Sequence, residues 1–284
     1  MDQDRGHRED RPDSPADAFA DVGDLHGVPE TALITLFDHA VEAVRPDSLL
    51  PDPLAARVAA RFAPAIRQRF GRPGQRHVLR ALQFDAQVRD FLQRHPAGTV
   101  VALGEGLETQ LWRVDNGTVS WLSVDLPEMI ALRRQLLPEH PRNRLVASSA
   151  LDPAWTDLVD PTTPPLILAQ GLLMYFTRTQ VRDFFGMLVA RFPGAEVVFD
   201  TIPDWAATPN RGRRQPSGYR LPAQPWGTGR RALDRMLAGA GLRDVACVPG
   251  PRGRGIAWGV VYPMLVRHWP GVIPMTVTCV VPGR

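Results

Sequence analysis

The sequence contains no lysine, so all 33 of its Lys and Arg residues are arginines. This absence excludes enzymes that depend on a Schiff-base lysine, on a pyridoxal-binding lysine or on the lysine of a phosphate-binding loop. Cysteine is also scarce. Cys247 and Cys279 are far apart in the chain and belong to no CxxC pair. The sequence therefore predicts neither a disulfide framework nor a zinc site.

Long apolar runs are missing as well. The longest, at 165–170 and 259–266, are much shorter than the roughly 20 residues of a transmembrane helix, and the start MDQDRGHRED has no apolar signal segment. We therefore expect a soluble cytoplasmic protein. Its net charge of +3 is small for 284 residues, so the expected partner is a small molecule rather than nucleic acid or a membrane. The oligomeric state is not encoded in any recognisable pattern.

The composition divides the chain into an arm, a helical region and an α/β region. Residues 1–24 mix charges of both signs with proline and glycine, which predicts a disordered arm. Residues 25–96 carry apolar residues at helical spacing and predict an N-terminal helical cap. Three helices are predicted in this cap, at 29–44, 53–70 and 75–94.

Residues 97–284 alternate predicted strands with predicted helices. The strands are expected at 99–103, 119–124, 144–147, 166–169, 195–200, 243–248 and 275–281. The helices are expected at 107–113, 127–137, 153–159, 179–192, 230–240 and 258–268. This alternation predicts an α/β fold with a doubly wound, mostly parallel sheet, which binds its ligands at the carboxyl ends of the strands.

The segment 202–229 interrupts this pattern. It is too long to be an idle connection in a compact domain, so we interpret it as a lid over the substrate, with a disordered insert as the alternative. Its aromatic residues favour the lid, since disordered segments are poor in aromatics. Trp205, Tyr219 and Trp226 are therefore candidate substrate contacts.

The stretch VVALGEGLETQ at 100–110 places Gly104 and Gly106 directly after a predicted strand. Dinucleotides and S-adenosylmethionine both bind such loops. Thr109 stands where a dinucleotide loop has its third glycine, and the neighbouring glutamates would repel a pyrophosphate. A cationic methyl donor gains from the same carboxylates, so S-adenosylmethionine is the predicted cofactor and a nicotinamide oxidoreductase is the alternative.

Asp125 ends the second predicted strand, 19 residues after Gly106. A carboxylate at this place accepts hydrogen bonds from the hydroxyl groups of a bound ribose. The alternative is that Asp125 caps the helix that begins near Pro127.

Six segments together resemble the leucine carboxyl methyltransferase family, and within it the bacterial branch with tetracenomycin-type polyketide O-methyltransferases. They are 79–92, 100–117, 121–139, 148–155, 166–176 and 191–200. The resemblance implies a class I methyltransferase fold, with a Rossmann-like sheet of seven strands and an added helical cap. The residues that it implies for cofactor binding are Arg80, Gly104, Glu105, Gly106, Asp125, Ala150, Leu151 and Gln170.

The sequence also departs from the pattern of that family. The family usually has Asp at the position of Ala102, Arg at the position of Gln110 and Glu at the position of Gln170. At position 170, glutamine keeps the hydrogen-bonding capacity of glutamate but loses its charge, so we expect cofactor binding to survive. The family's lysine near the cofactor has no counterpart, which argues against a phosphatase substrate. A methyltransferase-like binding protein without activity is a further alternative.

The acceptor decides which residues the chemistry needs. A carboxylate is already anionic and needs no base, whereas a phenol usually needs one. His77 lies one helical turn before Arg80 and is the candidate base, Tyr175 is the second candidate catalytic residue, and Arg178 is a candidate substrate contact. The predicted activity is O-methylation of a small, polyketide-like carboxylic acid to its methyl ester in secondary metabolism. Methylation of a hydroxyl group is the alternative within the same class.

Overall fold

The structure is a computed structural model that describes residues 30–60, 62–160, 162–208, 212, 214 and 218–283. The predicted arm at 1–24 lies outside the described residues. None of the helices in the described part of the chain has both the length and the apolar character that crossing a membrane requires.

The helices follow the predicted order, with local differences at their ends. The α-helices are α1 Thr31–Ala43, α2 Pro53–Ala59, α3 Ala63–Phe70, α4 Gln75–Arg94, α5 Gln110–Val114, α6 Pro127–Leu136, α7 Arg178–Arg191, α8 Arg230–Gly239 and α9 Tyr262–His268. Short 3-10 helices lie at Pro153–Leu158, Leu173–Tyr175 and Asp204–Ala206, and a π-helical turn at Ala257–Val261 leads directly into α9.

The predicted helix at 53–70 is wrong, because the structure has two helices there. Pro64 lies in the first turn of α3. Proline has no N–H group to donate, and its ring clashes with the carbonyl four residues earlier, so a continuous helix cannot pass through this point. The described residues before Pro96 thus form four helices instead of the predicted three. The helix predicted at 107–113 begins only at Gln110, because the residues before it form the glycine loop.

The sheet confirms the predicted α/β fold. Its strands are β1 Thr99–Leu103, β2 Ser120–Asp125, β3 Asn143–Ala147, β4 Leu166–Ala169, β5 Glu196–Thr201, β6 Arg243–Cys247 and β7 Met275–Val280. They are arranged in the order β3-β2-β1-β4-β5-β7-β6, in which β7 pairs antiparallel with β5 and β6. The order reverses direction at β1 and β4, and this is where an open α/β sheet forms a binding crevice.

Helix α4 covers one face of the sheet. Phe84 and Val88 on this helix pack against Val100 of β1 and Leu168 of β4. Helix α7 covers the opposite face through Phe184 and other apolar residues. The division into a cap at 25–96 and a catalytic domain at 97–284 stays a prediction, and α4 belongs by its packing to the sheet. Its first two turns reach the carboxyl edge of the strands.

The two ends of the predicted lid pair with each other. Thr208 and Gln224 form an antiparallel bridge, as do Arg214 and Arg220. Leu221 and Gln224 line the cavity described below. The stretch 202–229 is therefore folded back beside the binding crevice in the part that the structure describes.

Candidate active site

A cavity of about 300 Å³ lies at the carboxyl ends of β1, β2 and β4. The structure brings most of the predicted site residues to its wall. Those that line it are His77, Arg80, Gly104, Glu105, Gly106, Asp125, Ala150, Gln170 and Tyr175. These residues come from the helical region and from several separate strands, so the cavity forms only when the whole sheet is assembled.

The glycine loop needs a backbone that other residues rarely adopt. Gly104 and Gly106 have φ angles of 59° and 58°, in the left-handed region that favours glycine. A Cβ on Gly104 would lie 2.6 Å from Cδ1 of Leu172. The loop can therefore approach a ligand with its backbone only because both positions lack a side chain.

Asp125 holds this loop in place through backbone hydrogen bonds. The Gly106 amide donates a hydrogen bond to Oδ2 of Asp125 at 2.7 Å, and the Leu126 amide donates to Oδ1 at 2.8 Å. Leu126 is the N-cap of α6 and no side chain caps this helix, so the alternative role of Asp125 as a helix cap is not observed. Burial raises the pKa of Asp125. Asp125 lines the cavity, and its role at the ribose stays a prediction.

Glu105 forms a buried ion pair under the loop. Its Oε2 lies 3.0 Å from Nη2 of Arg133, and Arg133 also donates to the carbonyl oxygens of Gly106 and Glu108 at 2.7 and 3.1 Å. Burial raises the pKa of Glu105, which Arg133 opposes. Arg133 thus ties the loop together and places a carboxylate at the cavity wall.

Glu108 belongs to a buried charge network with Arg113 at its centre. Nη1 of Arg113 donates to Oδ2 of Asp52 and to Oε1 of Glu108, both at 2.8 Å. Nε and Nη2 donate to the two oxygens of Asp85 at 2.9 and 3.0 Å. Burial alone would raise the pKa of Glu108, but Arg113 and His39 outweigh it and lower the pKa to about 2.

The same network has the spacing of a metal site, since ligand atoms of His39, Asp52 and Glu108 lie within 4.8 Å of one another. Arg113 hydrogen-bonds both carboxylates of this group. A guanidinium therefore supplies the positive charge between them, and the group is a structural ion-pair network.

Two of the departures from the family pattern have direct partners in this region. Nε2 of Gln110 donates to Oδ1 of Asp85 at 3.0 Å, and Nε2 of Gln170 donates to Oε2 of Glu108 at 2.9 Å. A glutamate at position 170 would instead repel Glu108. The remaining amide oxygen of Gln170 is buried and has no hydrogen-bond partner among the described residues. An ammonium group in the cavity would supply the missing donor, which is what the predicted cofactor carries.

The opposite wall of the cavity is basic. Nη1 of Arg80 lies 3.3 Å from Oδ2 of Asp200, and the other oxygen of Asp200 accepts a hydrogen bond from the Gly171 amide. Gly171 has a φ of 69°, and a Cβ there would lie 2.7 Å from Nη1 of Arg80. Nε of Arg80 is buried without a hydrogen-bond partner among the described residues. Arg80 thus keeps donor capacity for a ligand carboxylate.

Arg76 is a cavity residue that the sequence interpretation missed. It lies one helical turn before Arg80 and lines the cavity beside it, and it forms no ion pair with any residue that the structure describes. The spacing of four residues on a helix with a predicted site arginine was a usable signal, because such residues share one face. Arg76 is exposed as a whole residue, and the protein atoms that surround its guanidinium, together with the charge of Arg80, lower its pKa.

His77 has both ring nitrogens engaged. Nδ1 lies 2.6 Å from Oδ2 of Asp38, and Nε2 lies 3.2 Å from Nη2 of Arg76. Burial lowers the pKa of His77 to about 4, so the ring is neutral near pH 7. It then donates from Nδ1 and accepts at Nε2 from Arg76. The predicted catalytic role of His77 stays a prediction, as does that of Tyr175, whose hydroxyl lies 3.4 Å from Oγ1 of Thr31.

Five other predicted site residues do not line the cavity. Leu151 packs against the main apolar core, and Trp226 is buried in it. Arg178 is exposed at the start of α7. Trp205 is 65% exposed and donates from Nε1 to the carbonyl of Val272. Tyr219 packs on Phe70 and donates to Glu30. Burial of large rings stabilises the fold wherever they find apolar neighbours, and the predicted substrate contacts of these residues stay predictions.

Known proteins resemble both the sequence and the fold. The chain is 32% identical over 184 residues to the tetracenomycin polyketide synthesis O-methyltransferase TcmP of Streptomyces glaucescens, covering 64% of this chain and 68% of the relative. It is 32% identical over 187 residues to the S-adenosyl-L-methionine-dependent methyltransferase dpfgK of Gibberella zeae. This match covers 59% of this chain and 62% of that relative. A solved structure from Thermobifida fusca, proposed to be a methyltransferase, shares the fold at 17% identity, with a TM-score of 0.50 over 87% of this chain and 94% of that one.

The family model for leucine carboxyl methyltransferase matches residues 32–189. This range contains the glycine loop, Asp125, Gln170 and both cavity arginines, so the match covers the residues that form the cofactor side of the cavity. It confirms the predicted resemblance and the predicted cofactor. The chain therefore belongs to the leucine carboxyl methyltransferase family, and it is an S-adenosylmethionine-dependent methyltransferase.

Proposed function

We propose that the enzyme methylates the carboxylate of a small, polyketide-like acid and releases its methyl ester. The observation that carries this proposal is Arg76, which lines the cavity and forms no ion pair with any described residue. A guanidinium offers several donors in a planar fork that matches a carboxylate. An acidic acceptor would supply the missing counter-charge.

The surroundings of His77 favour a carboxylate over a hydroxyl acceptor. Methylation of a hydroxyl group requires a base that removes its proton. The one ring nitrogen of His77 that can accept a proton accepts a hydrogen bond from Arg76 instead. A carboxylate is already deprotonated and needs no base, so the site can accept it as it stands.

S-adenosylmethionine, when bound, supplies a sulfonium methyl group: the new O–C bond forms while the C–S bond breaks and its electron pair stays on sulfur. The protein's task is then to position the two reactants in line. Asp125 would hold the ribose, Gln170 and the nearby carboxylates would favour the cationic groups, and Arg80 would bind the cofactor carboxylate through its free Nε and remaining donors. Arg76 would hold the acceptor's oxygen atoms.

The name of TcmP supports the polyketide-like class, since that relative is an O-methyltransferase of polyketide synthesis. The absence of lysine supports a small molecule in place of a phosphatase tail, because the lysine implied by the family resemblance is missing. The cytoplasmic location stays a prediction.

A turnover assay tests the proposal. The protein is incubated with S-adenosylmethionine and with paired acceptors that differ only in carrying a carboxylate or a phenol, and the products are fragmented by mass spectrometry. Methyl esters from the acids are expected. Methyl ethers alone would assign the enzyme to hydroxyl acceptors, and S-adenosylhomocysteine binding with no product from any acceptor would favour a binding protein without activity.

A further inference from the structure

A second cavity of about 130 Å³ adjoins the first. Arg76 and Arg80 line both cavities, so these two side chains form the boundary between them. The second cavity lies over the end of β5 and the start of β7, where Asp200 pairs with Thr276. It is therefore on the far side of β4 from the strands that carry the glycine loop and Asp125.

The charge of the second cavity is unbalanced. Its charged lining residues are two arginines and one aspartate, Asp200, which leaves one positive charge in excess. Asp200 is already occupied, because one oxygen accepts from Gly171 and the other from Arg80. The guanidinium of Arg76 is the charge left over, and a bound anion would neutralise it.

The remaining wall of the second cavity is mostly apolar and aromatic, apart from Gln83 and Thr276, whose side chains hydrogen-bond to each other. Trp258 and Tyr262 contribute their rings, with centroids 5.3 Å apart, and Ile273, Pro274 and Met275 complete the surface. Trp258 lies on the π-helical turn that leads into α9. Such turns are uncommon and are frequently found at functional sites.

One close contact orders this wall, and a second docks it against α4. Gly253 lies so close to Trp258 that a Cβ would be 2.6 Å from the Cβ of Trp258. The side chain of Gln75 accepts a hydrogen bond from the Arg254 amide at 2.7 Å. The aromatic wall is therefore docked beside Arg76, and it lies outside the residues 32–189 that the family model matches.

Tyr262 adds a polar group beside the arginines. Its hydroxyl makes no hydrogen bond to any residue described in the structure. Burial, reinforced by Asp200 and opposed by the arginines, raises the pKa of Tyr262 to about 12. The phenol therefore keeps its proton and can donate to an anion.

The size of the cavity limits what fits. An engineered apolar cavity of about 150 Å³ binds benzene, so the second cavity has room for about one aromatic ring. We propose that it binds one ring of an aromatic carboxylic acid, with the carboxylate held by Arg76 and Tyr262 at the boundary to the cofactor cavity. This inference rests on the proposed carboxylate methylation and adds the aromatic class and the residues that select it.

Binding of benzoic acid to the protein saturated with S-adenosylhomocysteine tests the inference by calorimetry, without any need for turnover. Saturable binding is expected to the wild-type protein. Arg76→Met removes the charge, Tyr262→Phe removes only the hydroxyl, and Ile273→Phe fills the cavity. Val272→Phe is the matched control for Ile273→Phe, because Val272 is the next residue, is 52% exposed and does not line the cavity.

We expect Arg76→Met and Ile273→Phe to weaken binding of the acid about tenfold or more, and Tyr262→Phe to weaken it about threefold. Val272→Phe should bind like the wild type, and S-adenosylhomocysteine affinity should change less than about twofold in all four variants. The retained cofactor affinity also shows that each variant is folded.

Acid binding that survives Ile273→Phe unchanged, or no saturable binding to the wild type, would overturn the inference. Loss of S-adenosylhomocysteine affinity in Arg76→Met would also overturn it, since Arg76 would then serve the cofactor. The proposed function fails separately, through the absence of methyl ester in the turnover assay even where the acid binds.

Discussion

The two sides of the first cavity carry opposite charge. The side formed by the glycine loop and β2 presents Glu105, Glu108 and Asp125, whereas the side formed by α4 presents Arg76 and Arg80. The methyl donor is a cation at sulfur and the proposed acceptor is an anion. This difference in charge would let the site distinguish the cationic donor from the proposed anionic acceptor.

The two sides also differ in what stabilises them. Two buried arginines stabilise the acidic side: Arg113 pairs with carboxylates, and Arg133 donates hydrogen bonds to the loop carbonyls. On the basic side, Asp200 pairs with Arg80 and accepts a hydrogen bond from the Gly171 amide, but it forms no ion pair with Arg76. The two arginines offset only part of the charge of the carboxylates around them, so the acidic side stays net negative, and the basic side keeps one positive charge for a ligand.

The largest expected effect comes from removing the support of the acidic side. Arg113→Met would leave Asp52, Asp85 and Glu108 buried without their shared counter-charge, which typically costs about 3–5 kcal/mol in the free energy of unfolding. Urea denaturation measures it. Arg89→Met is the control, since Arg89 contacts the same Asp85 from the exposed side and should cost less than about 1 kcal/mol. Equal losses in the two variants would contradict this assignment.

The second effect concerns the basic side, where His77 links Arg76 to Asp38. The native pKa of His77 is about 4, against 6.5 for an ordinary histidine. Between these values the unfolded chain binds a proton that the native state does not, so stability falls as the pH is lowered through this window. We expect the protonation of His77 in the unfolded chain to lower the free energy of unfolding of the wild type by roughly 2 kcal/mol between pH 7 and pH 4.5.

His77→Gln should remove this part of the pH dependence, measured as the difference in unfolding free energy between the two pH values. His95→Gln is the control, because His95 is exposed at the end of the same helix and should leave the pH profile of the wild type unchanged. A His77→Gln profile as steep as that of the wild type would show that the histidine is not held neutral.

The third effect lies at the junction of the two sides. Gly171→Ala would place a Cβ 2.7 Å from Nη1 of Arg80, at a φ of 69°. Displacement of Arg80 should weaken S-adenosylhomocysteine binding about tenfold, or 1.4 kcal/mol, by calorimetry. Gly117→Ala is the matched control, since Gly117 has a φ of 87° with open space around it. The Gly117→Ala variant introduces the same kind of backbone strain, and its affinity for S-adenosylhomocysteine should equal that of the wild type.

The smallest effect tests the charge of the acidic side. Glu105→Gln should lower the preference for S-adenosylmethionine over S-adenosylhomocysteine about threefold, because only the first ligand has a sulfonium charge and Arg133 already offsets much of Glu105. Glu128→Gln, at an exposed carboxylate in the first turn of α6, should leave the ratio unchanged. Weaker binding of both ligands by the same factor would mean that Glu105 shapes the loop and does not sense the charge.

Much of the fold and of the cofactor side was predictable from local sequence patterns. Strands β1 and β4 were predicted to the residue, because their apolar runs are too short for a helix and have glycine or proline close to both ends. Gly104, Gly106 and Asp125 line the cavity, because a glycine loop after a strand has fixed backbone demands, and their role in cofactor binding stays a prediction. The break between α2 and α3 was missed although Pro64 signals it.

The substrate side was predicted less well. The aromatic residues of 202–229 were expected at the substrate, but Trp226 is buried in the core and Tyr219 packs on Phe70. Arg76 and the wall formed by Trp258 and Tyr262 were not identified. These residues lie nearly 200 positions apart in the chain, and no local periodicity records which distant side chains will meet.

By itself, the sequence determined the class of fold, the cofactor and the kind of loop that binds it, since backbone conformation and strand periodicity are local properties. Only the tertiary structure decided how the charges are distributed around the cavity. Whether a carboxylate or a guanidinium is free for a ligand depends on which counter-charge is folded against it. Here Arg76 has no carboxylate partner among the described residues, whereas Glu108 is bound by Arg113.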